Sequence, residues 1–203
     1  ADAVHQNIDL LQEHRPRHVL VLAGDHVYRM DYSRFLADHI EAGADVSVAC
    51  IKVPLADAPQ FGIAYVDAQS RIVRFDEKPE SPVGLPDDPG RALASMGIYV
   101  FPAELLYEEL AHDAANREST HDFGRDIIPS LVHRRQVFAH DFGLSCVSNG
   151  GLAPYWRDVG TVDAYWEASI DLTRVIPELN LYDPGWPILT ANQPRPPAKF
   201  VFA

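Results

Sequence analysis

Five consecutive aliphatic residues, Val19-Leu20-Val21-Leu22-Ala23, run straight into Gly24, Asp25 and His26. A strand with one face in water would alternate apolar and polar residues. An unbroken run of this length reads instead as a strand buried on both faces, as in an α/β sheet with helices on either side. In open sheets of that kind ligands gather beyond the carboxyl ends of the strands, which is where Asp25 would stand. A carboxylate there either caps the following turn or takes part in holding a hard cation such as Mg²⁺. A second acid for such a site stands far along the chain, at Asp158, in the run Tyr155-Trp156-Arg157-Asp158-Val159-Gly160-Thr161. That run reads as a turn between aromatic residues and a following helix, and its bland alternative is an Arg157–acid pair wedged against Trp156.

The rest of the pattern supports an α/β fold. Apolar residues at helical spacing (Val4, Ile8, Leu11) open the chain, predicting a helix before the first strand. Residues 32–42 read as a helix with Phe35, Leu36, His39 and Ile40 on one face, stopped by Gly43. Strands are expected at 45–53, 62–67, 71–75, 94–101, 137–141 and 144–148, the second and third forming a hairpin. Helices are expected at 102–111, 127–133 and 160–172, the last with Tyr165, Ala168 and Leu172 facing the core. Residues 81–90, rich in Pro and Gly, predict a loop, and 177–203, with six prolines and no periodicity, an extended linker.

Bulk properties narrow the function. At 203 residues the chain is long enough for one large domain with a full core. No apolar run reaches the roughly 18 residues of a membrane span, and a cytoplasmic protein without membrane contact is expected. A formal net charge of −12 argues against nucleic acid and anionic lipid as partners. Cys50 and Cys146, two in all, make neither a disulfide framework nor a metal cluster. His5, His26, His121 and His140 show no metal-ligand spacing and read as structural histidines. There is no Walker loop, no G-x-S-x-G elbow and no G-x-G-x-x-G fingerprint. The chain begins at Ala1 inside an apparent element and is expected to be a fragment.

Two more features carry chemistry. Lys78 stands between Glu77 and Pro79; proline keeps the preceding residue out of the helical region, so Lys78 is expected to be extended, a fixed point charge suited to a phosphate monoester or paired with Glu77. Ser95 and Tyr99 are four apart on one strand, hence on one face, with Gly97 between them. They either meet sugar hydroxyls or permit close packing.

Taken in order, Leu22 through Tyr28, Phe75 through Pro79, Ala94 through Phe101, Asp122-Phe123-Gly124 and Tyr155 through Trp166 resemble the characteristic segments of ADP-glucose pyrophosphorylases, the glucose-1-phosphate adenylyltransferases of bacterial glycogen synthesis. Asn180 through Tyr182, Trp186-Pro187 and Pro196 through Val201 resemble that family's linker. The resemblance implies an α/β, Rossmann-like nucleotide-diphospho-sugar transferase fold with a mixed, mostly parallel sheet, a partial catalytic domain over 1–176 and a linker over 177–203 leading to a β-helix. It implies transfer of AMP from ATP to α-D-glucose 1-phosphate, giving ADP-glucose and pyrophosphate, with Mg²⁺ as cofactor and a homotetramer in full-length members. Carried over, Asp25 and Asp158 are metal ligands and Lys78 holds the sugar phosphate. Gly62, Glu77 and Ser95 line the sugar pocket, joined by Tyr99, Asp122, Phe123 and Trp156. The family's glycine-rich nucleotide loop would lie upstream of Ala1. The alternatives are a pyrophosphorylase for another sugar nucleotide and a non-catalytic module that binds sugar phosphate or assembles.

Overall fold

A computed structural model describes residues 1–147 and 153–189. The strands are β1 (His18–Val21), β2 (His26–Tyr28), β3 (Val46–Pro54), β4 (Gly62–Val66), β5 (Ile72–Glu77), β6 (Arg91–Pro102), β7 (Val137–Asp141) and β8 (Trp156–Asp158). The helices are α1 (Asp2–His5), α2 (Ile8–His14), α3 (Tyr32–Glu41), α4 (Ala103–Ala115), α5 (Ile128–Val132) and α6 (Val162–Asp171).

Six strands form the main sheet, in the order β5-β4-β6-β3-β7, with β1 also on β6. The twelve-residue β6 organises it. One edge of β6 pairs with β3 almost throughout, while the other is shared end to end, by β1 over residues 99–102 and by β4 at Ala94. The sheet is mixed, as expected, but not mostly parallel: among the described pairs only β3 with β7 is parallel. The physical reason lies in β6, which runs against β1, β3 and β4, and in the β4–β5 hairpin, which is antiparallel by construction.

Alternation along the strands supplies two cores. Val46, Val48, Cys50, Tyr99 and Phe101 meet Leu106 and Leu110 of α4 and Ile128, Leu131 and Val132 of α5 on one face. Ala49, Met96, Ile98 and Val100 meet Phe35 of α3, Met30 and Phe142 on the other. Helices therefore cover both faces, which explains the unbroken apolar runs in β3 and β6. Asp31 caps α3 by accepting from the Ser33 and Arg34 amides, and Thr161 caps α6 through the Ala164 amide.

Several expectations need correction. β1 is half-buried rather than buried, with Val19 alone enclosed, because its pairing is confined to β6. The opening helix is two short ones, broken at Gln6 and Asn7, where the Asn7 side chain bonds the Ala3 carbonyl. Residues 123–127 make a π-helical turn before α5. Residues 142–144 form a 3₁₀ turn and Cys146 a single bridge to Met30, so the strand expected at 144–148 is absent over its described part; Ser148 lies outside the described residues. Tyr165 is 64 % exposed and Ala168 supplies the buried contact of α6. The start of the expected linker packs back on the body, with Leu179 buried and Asp183 accepting from Arg29 Nη1 at 3.0 Å. Residues 190–203, including the 196–201 segment, lie outside the described residues.

Candidate active site

Where β1 and β4 part along the edge of β6, the sheet opens into a cavity of about 430 Å³. Its lining includes every site residue expected from the sequence: Asp25, Gly62, Glu77, Lys78, Ser95, Tyr99, Asp122, Phe123, Trp156 and Asp158. A second, open depression of about 850 Å³ adjoins it and shares Asp25, Lys78, Trp156 and Asp158 with it.

The floor is β6. Between Val48 and Cys50 of β3 the register with β6 slips, so that Tyr99 pairs with the first and Ser95 with the second. Gly97 sits within this bulge at φ +65°, a conformation that favours glycine, and its amide donates to Ser95 Oγ at 3.2 Å. The bulge lies between Ser95 and Tyr99, yet both line the cavity and the two hydroxyls interact. Burial pushes the Tyr99 phenol up, with the Ser95 hydrogen bond working the other way. Phe123 lies against the Tyr99 ring, with centroids 5.4 Å apart.

One wall is the β4–β5 hairpin, which pairs Gly62 with Glu77. A β-carbon at Gly62 or at Gly124 would stand 2.7 Å from Glu77 Oε2, so both glycines are needed for the carboxylate to lie where it does. Burial raises the Glu77 pKa, Asp122 adds to the rise, and Lys78 and Arg125 oppose it. Asp122 caps the π-helical turn by accepting from the Arg125 amide at 2.9 Å. Lys78 is not extended as expected: it lies in the left-handed region at φ +48°, with its amide on the Phe61 carbonyl at 3.0 Å. Pro79 closes the right-handed helical region, and the ladder bond to Phe61 draws the chain to the left-handed alternative. For a lysine that conformation costs about 1 kcal/mol or more.

The opposite end is a separate two-stranded ribbon. β2 pairs with β8 so that His26 faces Asp158, and the Val159 amide bonds the Asp25 carbonyl at 2.9 Å. The turn expected around Trp156 is therefore a strand. The side chains of Asp25 and Asp158 are 59 % and 42 % exposed. Asp158 Oδ1 accepts from the Gly160 amide at 2.8 Å. A β-carbon at Gly160 would lie 3.0 Å from that same oxygen and 3.2 Å from Asp25 Oδ2. The two carboxylates thus converge on a space that any side chain at 160 would fill. Among the described residues no group of three or more His, Cys, Asp or Glu gathers as a metal set. Two acids with an open front fit a hard cation that completes its oxygen shell from phosphates and water.

Sequence reasoning passed over His26, Gln60, Phe61 and Gly160. His26 was set aside for want of metal-ligand spacing, yet its imidazole packs edge-on to Trp156 and lies between the two acids. Its place beside Asp25 was the available signal. His140 and His121 are structural as expected, held by Ser145 and Asp38 in one case and by Asp113 in the other.

A helix-covered mixed sheet with acids beyond a strand end and a lysine at a hairpin end places the chain among α/β proteins whose ligand sites lie where strands end. The nucleotidyl transferase family profile matches residues 1–175. The chain belongs to that family, and its fold is the Rossmann-like nucleotide-diphospho-sugar transferase fold. It is 61 % identical over 203 residues to the glucose-1-phosphate adenylyltransferase of Paramagnetospirillum magneticum, covering all of this chain and 47 % of that protein. It is 59 % identical over 203 residues to the enzyme of that name from Rhodospirillum rubrum and 55 % over 202 residues to that from Dechloromonas aromatica, covering all of this chain and 48 % and 46 % of those proteins. The chain spans about half the length of these relatives. Among the described residues no helix is long and apolar enough to cross a membrane.

Proposed function

We propose that this chain carries the sugar-phosphate side of a glucose-1-phosphate adenylyltransferase active site, acting in the cytoplasm in glycogen synthesis. In the reaction AMP passes from ATP to α-D-glucose 1-phosphate, giving ADP-glucose and pyrophosphate. In this reading residues 1–176 are the catalytic unit and 177–203 a linker, and the full-length protein is a homotetramer. The observation that carries this reading is that one cavity is lined together by Lys78, Glu77, Ser95 and Tyr99 and by the two acids Asp25 and Asp158.

Lys78 holds the phosphate of glucose 1-phosphate as a fixed cation, its backbone locked by Phe61 and Pro79. Glu77, Ser95 and Tyr99, with Asp122 behind them, offer hydrogen-bond partners to the sugar hydroxyls. Phe123 and Trp156 supply apolar walls, and Gly62 leaves room for the Glu77 carboxylate. A phosphate oxygen of the sugar attacks the α-phosphorus of ATP in line. The new P–O bond forms as the bond to the bridging oxygen breaks, and pyrophosphate leaves with that electron pair. No covalent enzyme intermediate is needed, so positioning and charge neutralisation are the protein's tasks. Asp25 and Asp158 would hold Mg²⁺, which when bound neutralises charge on the reacting phosphates.

Calorimetric titration with glucose 1-phosphate in the presence of Mg²⁺ tests this reading. Binding to the intact chain should weaken roughly 10- to 100-fold in Lys78→Gln, the range expected for hydrogen bonds to a charged group. Equal affinity of the two proteins, or no binding by the folded wild-type chain, would overturn the assignment.

A further inference from the structure

His26 lines the cavity, and the proposed reaction gives it no task. Its imidazole is 10 % exposed and packs edge-on to Trp156, with ring centroids 5.1 Å apart. Its Cε1 would lie 3.5 Å from a β-carbon at Gly97, ordinary contact distance, so the ring rests over the bulge in β6. Its Nδ1 is buried with no hydrogen-bond partner among the described residues. The ring is therefore placed by packing, and its functional end is Nε2.

The two carboxylates divide their oxygens around this ring. Asp25 Oδ1 and Asp158 Oδ2 lie 3.7 and 3.9 Å from His26 Nε2. Their other oxygens, Asp25 Oδ2 and Asp158 Oδ1, face the open space over Gly160. One oxygen of each acid is thus turned back toward the imidazole and one forward. Both neighbours of Nε2 are acceptors, which favours the tautomer with its proton there. At these distances the contact is through-space rather than a hydrogen bond, a positive N–H edge set between two like charges.

We propose that His26 is a positioning residue for the two acids. Its Nε2–H lies behind them, offsets their repulsion and, together with the Gly160 amide that donates to Asp158 Oδ1, keeps their forward oxygens aimed at the space over Gly160, where a divalent cation would be shared. The inference rests on reading Asp25 and Asp158 as cation ligands. Groups that orient metal-binding carboxylates from behind typically contribute 10- to 100-fold in metal affinity.

The test uses Mn²⁺, followed by the paramagnetic resonance of the free ion, titrated into the chain with saturating glucose 1-phosphate. Four proteins are compared: wild type, Asp25→Asn, His26→Leu, which keeps bulk without a donor, and His26→Gln, which returns an N–H near the Nε2 position. The expected result is saturable binding lost in Asp25→Asn, weakened at least tenfold in His26→Leu and restored to within about threefold in His26→Gln. Leucine binding as tightly as wild type overturns the proposal, and glutamine as weak as leucine does so too, leaving ring packing as the cause. If the wild type shows no Asp25-dependent Mn²⁺ binding, the cation reading itself falls and the role of His26 falls with it.

Discussion

The two ends of the cavity are built differently. The sugar end stands on the main sheet: Ser95 and Tyr99 belong to a twelve-residue strand paired on both edges, and Glu77 to a hairpin that leans on it. The acid end stands on a ribbon of two three-residue strands, with exposed carboxylates, a backbone bond from Val159 to Asp25, and Tyr28 and Trp156 laid against the edge of the second core. A short isolated ribbon has little stability of its own. The contrast teaches that the end proposed to take the sugar is preformed, whereas the geometry of the acids depends on a few local contacts.

The strongest challenge to that contrast is a stability comparison. Phe101, fully enclosed between β6 and its helices, should cost about 3–5 kcal/mol when replaced by alanine. Val27→Ala, on the half-buried ribbon, should cost under about 1 kcal/mol. Urea unfolding reads both, and similar losses would mean that the ribbon belongs to the same cooperative core. Next is the acid response of the sheet body. His39 of α3 bonds Ser47 of β3 at 2.9 Å, and burial, with His18 adding and Asp45 opposing, lowers its pKa to about 4. Below pH 6.5 the unfolded chain binds the proton that the folded one refuses, so this contribution is complete above 6.5 and lost as pH falls toward 4. The loss should reach up to about 3 kcal/mol and be largely absent in His39→Gln, as stability curves at stepped pH would show. The smallest effect is the most local. Gly160→Ala puts a methyl between the carboxylates and should weaken Mn²⁺ binding about tenfold while leaving the unfolding midpoint near wild type. An unchanged affinity would show that the acids spread at no cost.

Much of the sheet was legible in the chain because β3 and β6 are buried on both faces and carry their apolar runs openly. What stayed hidden was pairing. Nothing in Trp156-Arg157-Asp158 announces a strand, because three residues show no period, and only the partner at His26–Tyr28 makes them one. The direction of β6 was equally unreadable, since an apolar run is the same in a parallel or antiparallel setting. Lys78 was placed correctly in the chain but given the wrong backbone: Pro79 excludes one region, and the choice among the remaining ones came from Phe61, seventeen residues upstream. The candidate site residues could be named because they stand at strand ends or in recognisable segments. Gly160 and His26 could not, since their importance lies in a space and an orientation that exist only after β2 meets β8.

Because β1 and β4 share one edge of β6 end to end, the slot is the stretch of that edge where neither strand continues. Strands end in whole residues, each about 3.3 Å of rise. The width of such a slot can therefore change only in steps of that size, by one strand gaining or losing a residue, and not by gradual drift. If the proposed substrate is right, size selection among sugars becomes a matter of counting residues at two strand ends, while the side chains that line the gap remain free to adjust which hydroxyls they meet.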